Sequence, residues 1–159
     1  MRHAIVFLFL GALLAGCAAF GPPPQPGEPM AAVQAKLGRP TARFQVGPET
    51  VDEYGAGYFG QYTWMARYGA DGRLVSFEQV LTDAKFATVK LGVDTRDTIL
   101  RTFGHPAETM SLPRRNLEVW SYRYKQSGVW DAMMHVHFSP DGVVREMMSG
   151  PDMLREKRD

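Results

Sequence analysis

The sequence predicts an α+β protein made of two tandem units, each a helical segment followed by an antiparallel meander. Three observations predict it: an internal repeat, helical apolar spacing ahead of Gly-x-Pro, and alternating segments closed by Asp-Gly. At an offset of 66 positions, Gly38-Arg39-Pro40 aligns with Gly104-His105-Pro106, and Val33, Leu37, Tyr54 and Tyr58 align with Ile99, Phe103, Trp120 and Tyr124. Past a four-residue insertion in the second copy, Trp64-Met65-Ala66-Arg67-Tyr68 aligns with Met134-His135-Val136-His137-Phe138, and Asp71-Gly72 with Asp141-Gly142. Two blocks that share apolar positions and the same turn mark a duplicated structural unit.

The chain opens with Arg2 and His3, an apolar run over Ala4–Leu14, and Leu14-Ala15-Gly16-Cys17. The run is shorter than the roughly 20 residues of a spanning helix, and its layout is that of a targeting segment. It looks like a bacterial lipoprotein signal with its lipobox. Residues 1–16 are then a signal peptide cleaved between Gly16 and Cys17, and the Cys17 thiol takes the lipid. Two or more acyl chains anchor a protein stably where one does not, so membrane lipid is the first expected partner. By resemblance to enterobacterial sorting rules, Ala18 in place of Asp favours the outer membrane, with the domain facing the periplasm. Residues 17–29 hold five of the prolines, which fix φ and remove amide donors. They read as an extended tether that reaches some 30–40 Å at about 3.1 Å per residue.

The first unit is expected over 30–82. Met30, Val33 and Leu37 make a helical face that Gly38 and Pro40 end. Strands follow at Thr50–Tyr58, Tyr62–Tyr68 and Leu74–Leu81, with Asp71-Gly72 read as a type I′ hairpin turn. Thr82–Val93 joins the units, as a short helix or a crossover strand carrying Phe86, Val89 and Leu91. In the second unit, 83–150, Asp94 or Thr95 caps a helix whose Ile99, Leu100 and Phe103 share one face. Trp120, Tyr122 and Tyr124 then line one side of a strand and Leu117, Val119, Ser121 and Arg123 the other. Met134, Val136 and Phe138 alternate with His135 and His137, and Val143-Val144 follow the Asp141-Gly142 turn. Each meander has three or four strands on this reading. Residues 151–159 form a charged tail expected to fray.

Composition excludes some classes of function. Without Arg2 the chain carries seventeen basic and seventeen acidic residues, so no global charge marks a nucleic-acid partner. One cysteine permits no intramolecular disulfide, and stability must come from a packed core. No Gly-x-Ser-x-Gly elbow, zinc spacing or phosphate loop is present, and no cofactor is expected. His135-x-His137 puts two imidazoles on one face of a strand, but only Asp131 is near as a third ligand; these are expected to be solvent-facing histidines. Adjacent Asp52 and Glu53 point to opposite faces of a strand and cannot work as a catalytic pair. Arg114-Arg115 and Arg123-x-Lys125 read as a solvated basic face. The hairpin tips stand out: Tyr58, Phe59 and Tyr62 in the first unit and Trp130 in the second place aromatic groups beside glycines, as interface anchors often are.

The second copy, from Val89-Lys90-Leu91-Gly92-Val93-Asp94-Thr95 through Gly104-His105-Pro106 and Trp120-Ser121-Tyr122-Arg123-Tyr124 to His137-Phe138-Ser139-Pro140-Asp141-Gly142-Val143-Val144, resembles the SmpA/OmlA (BamE-like) family of outer-membrane lipoproteins. It departs from that family in Val93, where Met is usual, and in being duplicated. The resemblance implies helices against one face of an antiparallel sheet. It also implies a role in envelope integrity or outer-membrane protein assembly through protein and lipid contacts. Two such units in tandem are also similar to the β-lactamase-inhibitor-protein fold. The expected function is therefore a non-enzymatic, membrane-anchored scaffold or adaptor with an envelope protein partner. The alternatives are a proteinaceous inhibitor of a periplasmic hydrolase and a small-ligand or lipid sensor.

Overall fold

Helix signals and alternating segments assemble into an α+β fold with two four-stranded antiparallel sheets and few helices, as a computed structural model covering residues 22–155 shows. The signal segment, Cys17 and the start of the tether lie outside the described residues. Helix α1 spans Met30–Leu37, and β1 (Ala42–Val46), β2 (Glu49–Gly55), β3 (Thr63–Tyr68) and β4 (Leu74–Gln79) form the first sheet in sequence order. After the one-turn α2 (Asp83–Phe86) and α3 (Arg96–Phe103), strands β5 (Glu108–Leu112), β6 (Leu117–Gln126), β7 (Trp130–Phe138) and β8 (Val144–Pro151) form the second. The joining segment is thus helical rather than a crossover strand. Thr82 caps α2, its hydroxyl accepting from the Lys85 amide at 3.1 Å.

Two strands escape the pattern reading. β1 and β5 are five-residue edge strands, and neither has a fully buried residue. An edge strand with few apolar positions carries little periodic signal. The strands expected at Thr50–Tyr58 and Tyr62–Tyr68 are shorter, because Ala56-Gly57-Tyr58-Phe59-Gly60 leaves the ladder as a loop. The turns also differ from type I′. Only Gly72 and Gly142 have positive φ there, and Gly72 donates to Gly69 O at 2.9 Å while Gly142 donates to Ser139 O at 2.8 Å. A type I turn closed by a left-handed glycine, with the adjoining register shift, is the bulged hairpin alternative.

Thr95, rather than Asp94, caps α3, and Gly104 ends it with φ of 80°. An eight-residue helix is marginal by itself, so packing must hold it. Ile99 and Phe103 share one core with Val51 and Met65 of the first sheet and with Tyr122, Val136 and Phe138 of the second. α3 therefore lies between the two sheets. Phe103 stacks on Phe86 with centroids 4.7 Å apart, and removing a buried ring of this kind costs about 3–5 kcal/mol. A second, smaller core sets Val33 of α1 on Ala66, Tyr68 and Leu74, across the opposite face of the first sheet. The layers run α1, first sheet, α3, second sheet.

The ends pack further than composition suggests. Gly27 donates to Leu74 O at 2.7 Å and Pro29 bridges Arg73, so the last tether residues lie along the first unit. Pro151 completes β8 and Asp152 is buried beyond it, within the span expected to fray.

Candidate functional site

The seam between the units gathers side chains that the sequence keeps far apart. Alternation along β2 sends Asp52 toward α1 and Glu53 toward the second unit. Asp52 accepts from Arg43 Nε at 2.5 Å and from Gln34 Nε2 at 3.0 Å. Glu53 Oε2 lies 2.8 Å from His105 Nδ1, and the His105 amide donates to Oε1 at 3.2 Å. The two carboxylates are thus separate, as their spacing requires. The Tyr122 hydroxyl donates to Gly104 O at 3.1 Å. Burial first, and then the Glu53 charge, push that hydroxyl well above its usual pKa. Among the described residues no hydroxyl or thiol hydrogen-bonds His105, and the pair joins the two sheets.

Next to this pair a cleft of about 280 Å³ opens between the units, with Thr41, Tyr58, Tyr62, His105, Tyr122 and Arg123 in its wall. Arg123 was expected on a solvated face and is instead 1% exposed. It donates to Tyr58 O at 2.6 Å, bonds Glu108, and sits 3.2 Å from the buried Asp152 carboxylate. Its guanidinium also lies over the Tyr58 ring, 4.4 Å from the centroid. A buried cation needs partners on every side, and here three segments of chain supply them. That requirement orders the loop carrying Tyr58.

The four aromatic residues singled out from the sequence are all at the surface. Phe59 is 67% exposed and Trp130 70%, with Tyr58 and Tyr62 about half so. Polar contacts tie their loops together. Gln61 bonds Asp131 across the units, and Arg155 donates to Phe59 O at 2.6 Å. Lys125, 2.8 Å away, and then Gln61 hold the Asp131 carboxyl below the usual range. Tyr58 and Phe59 pack edge to face at 4.8 Å. Sequence reasoning missed this frame, and also the exposed Val129 of the β6–β7 turn and Met153 and Leu154 after β8. Gln61 and Asp131 carry no pattern that links them.

The histidine pair also departs from expectation. His135 is partly buried, its Nδ1 2.8 Å from Ser121 Oγ. His137 is buried and its Nδ1 has no partner. Burial lowers the pKa of both, His137 adding to the effect at His135. Among the described residues no group of three His, Cys, Asp or Glu is placed to hold a metal ion. Of the basic residues, Arg115 pairs with Glu146 at 2.6 Å and Arg114 is exposed. No helix of the described residues is long and apolar enough to cross a membrane.

No protein-family model matches the chain, and no curated protein matches it. Among solved structures it is similar to a DUF4309 family protein (YjgB) from Bacillus subtilis, at 15% identity over 77% of each chain with a TM-score of 0.35.

Proposed function

We propose that the protein is a non-enzymatic lipoprotein, anchored by acylated Cys17 in the outer membrane, that binds an envelope protein as a scaffold or adaptor. Its two units are read as tandem BamE-like repeats. The observation that carries the binding role is the exposure of Tyr58, Phe59, Tyr62 and Trp130 on loops held by Gln61–Asp131, Arg123–Tyr58 and Arg155–Phe59 contacts. Large aromatics on an ordered frame lose little entropy on binding, which is what makes such residues energetic anchors. The lipobox and tether support the anchor. The Glu53–His105 pair has both carboxylate oxygens engaged, and among the described residues no hydroxyl or thiol hydrogen-bonds the imidazole, which supports a binding rather than a catalytic reading.

The test is crosslinking in intact cells with the tagged full chain, followed by mass spectrometry of what it captures. An envelope protein recovered with the parent and reduced at least about tenfold by Phe59→Ala/Trp130→Ala is the expected result for anchor residues. Equal recovery with the double variant, at equal thermal stability, overturns the assignment of this surface.

A further inference from the structure

Alternation gives β7 two sides. Ala132, Met134, Val136 and Phe138 turn toward the core that holds α3, so Met133, His135 and His137 share the other side. Pairing with β8 sets Met148 directly opposite His135 and Gly150 opposite Met133. Opposed residues of an antiparallel pair have Cβ atoms about 4.5–5.5 Å apart, and residues two apart on a strand lie about 7 Å from each other. Met133, His135 and Met148 therefore bound one small patch, whose fourth corner, Gly150, has no side chain. His135 lies across it. Its Nδ1 is 2.8 Å from Ser121 Oγ, on the β6 side. Its Nε2 is 3.8 Å from where a Cβ of Gly150 would stand, on the β8 side, and makes no hydrogen bond among the described residues. When Nδ1–H donates to Ser121, the lone pair of the neutral ring is on Nε2.

The donors left at this patch are soft. The nearby carboxylates are already paired, Glu108 and Asp152 with Arg123 and Glu146 with Arg115. One imidazole nitrogen and two thioether side chains remain, and thioethers select Cu(I) where carboxylates suit harder ions. From this set we infer that Met133, His135 and Met148 form a binding site for a soft monovalent metal ion, Cu(I). The inference goes beyond the protein-binding role proposed above and rests on neither the aromatic surface nor the lipid anchor. Ser121 holds the ring as outer-shell partners hold ligating histidines. Burial, the larger cause, and then His137 lower the pKa of His135 and keep its ring in the neutral form that ligates. Met133 is 7% exposed and supplies an inner donor, while Met148, at 50%, leaves a way in. His137 sits opposite Glu146, on the far side of His135 from Gly150, and takes no part. The first unit lacks the set: 70 positions earlier stand Thr63, Met65, Glu78 and Val80.

The test titrates the full chain, in mild detergent with methyl-labelled methionine, with Cu(I) under argon against a chromogenic Cu(I) chelator. Uptake of one equivalent is expected, with methyl shifts at Met133 and Met148 and with both sulfur and nitrogen in the X-ray absorption spectrum of the bound metal. Loss of an outer-shell partner weakens a metal site about 10–100-fold. Ser121→Ala is therefore expected to weaken binding at least about tenfold, and His135→Gln and Met148→Leu to weaken it further. Met148→Leu conserves volume at a half-exposed position, so its melting temperature stays that of the parent and the loss reads the sulfur. Unchanged uptake by Met148→Leu, a metal site without sulfur, or equal uptake of Zn(II) overturns the inference. So do methyl shifts at Met65 or Met110 in place of Met133 and Met148, and a failure to take Cu(I) from the chelator. Uptake that disappears in Cys17→Ser assigns the ion to the thiol and overturns it as well.

Discussion

Glu53 of the first unit holds His105 of the second by two contacts, 2.8 Å to the ring nitrogen and 3.2 Å to the backbone amide. The carboxylate is buried and sits at the C-terminal end of α3, where the chain turns away from the helix. It fixes the point at which the second unit's helix meets the first unit's sheet. Both of its oxygens are hydrogen-bonded, as a polar group at that depth requires.

Gly104 is where that closeness is most sensitive to substitution. With φ of 80°, an added Cβ would lie 2.7 Å from Glu53 Cδ. Gly104→Ala is expected to cost about 2–3 kcal/mol, from the left-handed backbone and the displaced carboxylate together. Gly38, its repeat equivalent, has φ of 84° with nothing within 4 Å. Gly38→Ala is expected to cost about 1 kcal/mol, from the backbone alone. Chemical unfolding of the two variants checks the difference, and equal losses would remove the role given to Glu53.

Arg123 should behave as a structural cation. Arg123→Ala leaves the buried Asp152 carboxylate with only the longer Arg155 contact at 3.7 Å, and a loss of about 3 kcal/mol is expected, the lower end for a broken buried pair. Arg123→Lys restores the charge but not the fork that reaches Tyr58, Glu108 and Asp152, so it recovers only part of that stability. Thermal melts of the three proteins test the order.

Stability should fall in mildly acidic solution through the two histidines. Burial places the folded pKa of His135 and His137 below the ordinary value of 6.5. The unfolded chain then binds more protons between the two values, so stability rises with pH across that window. The contribution is complete above about 6.5 and is lost as pH falls toward the folded values. Urea midpoints measured from pH 7.5 to pH 5 should decline, and His137→Gln should flatten the decline. A parallel decline in that variant would show that neither the burial of His137 nor its orphaned Nδ1 governs the effect.

Cys17→Ser is expected to abolish incorporation of labelled palmitate and to release the protein from membranes. Retained labelling would refute the lipobox reading. Far-UV circular dichroism of the released protein should match the parent, because Cys17 precedes every element of the two sheets.

Much of the fold was legible in the residues themselves. The alternation of Trp120, Tyr122 and Tyr124 against Val119, Ser121 and Arg123 named the two faces of β6 correctly, and Ile99 and Phe103 named the buried side of α3. The weakly patterned edges β1 and β5 were not legible, nor was the turn type. Asp-Gly fits both a type I′ turn and a type I turn with a bulge, and the flanking register decides between them. The exposed aromatics were marked by their place beside glycines, but the polar frame beneath them joins residues with no local signal.

The sequence by itself determined the α+β class, the positions of the helix ends, and the lone cysteine behind an apolar run. These are properties of neighbouring residues: helical and strand periodicity, glycine at left-handed positions, proline where a helix stops. Only the tertiary structure decided that α3 lies between the sheets, that Glu53 meets His105, and that Arg123 is buried. Those outcomes depend on how two similar units stack, and residues 52 positions apart carry no local trace of their contact.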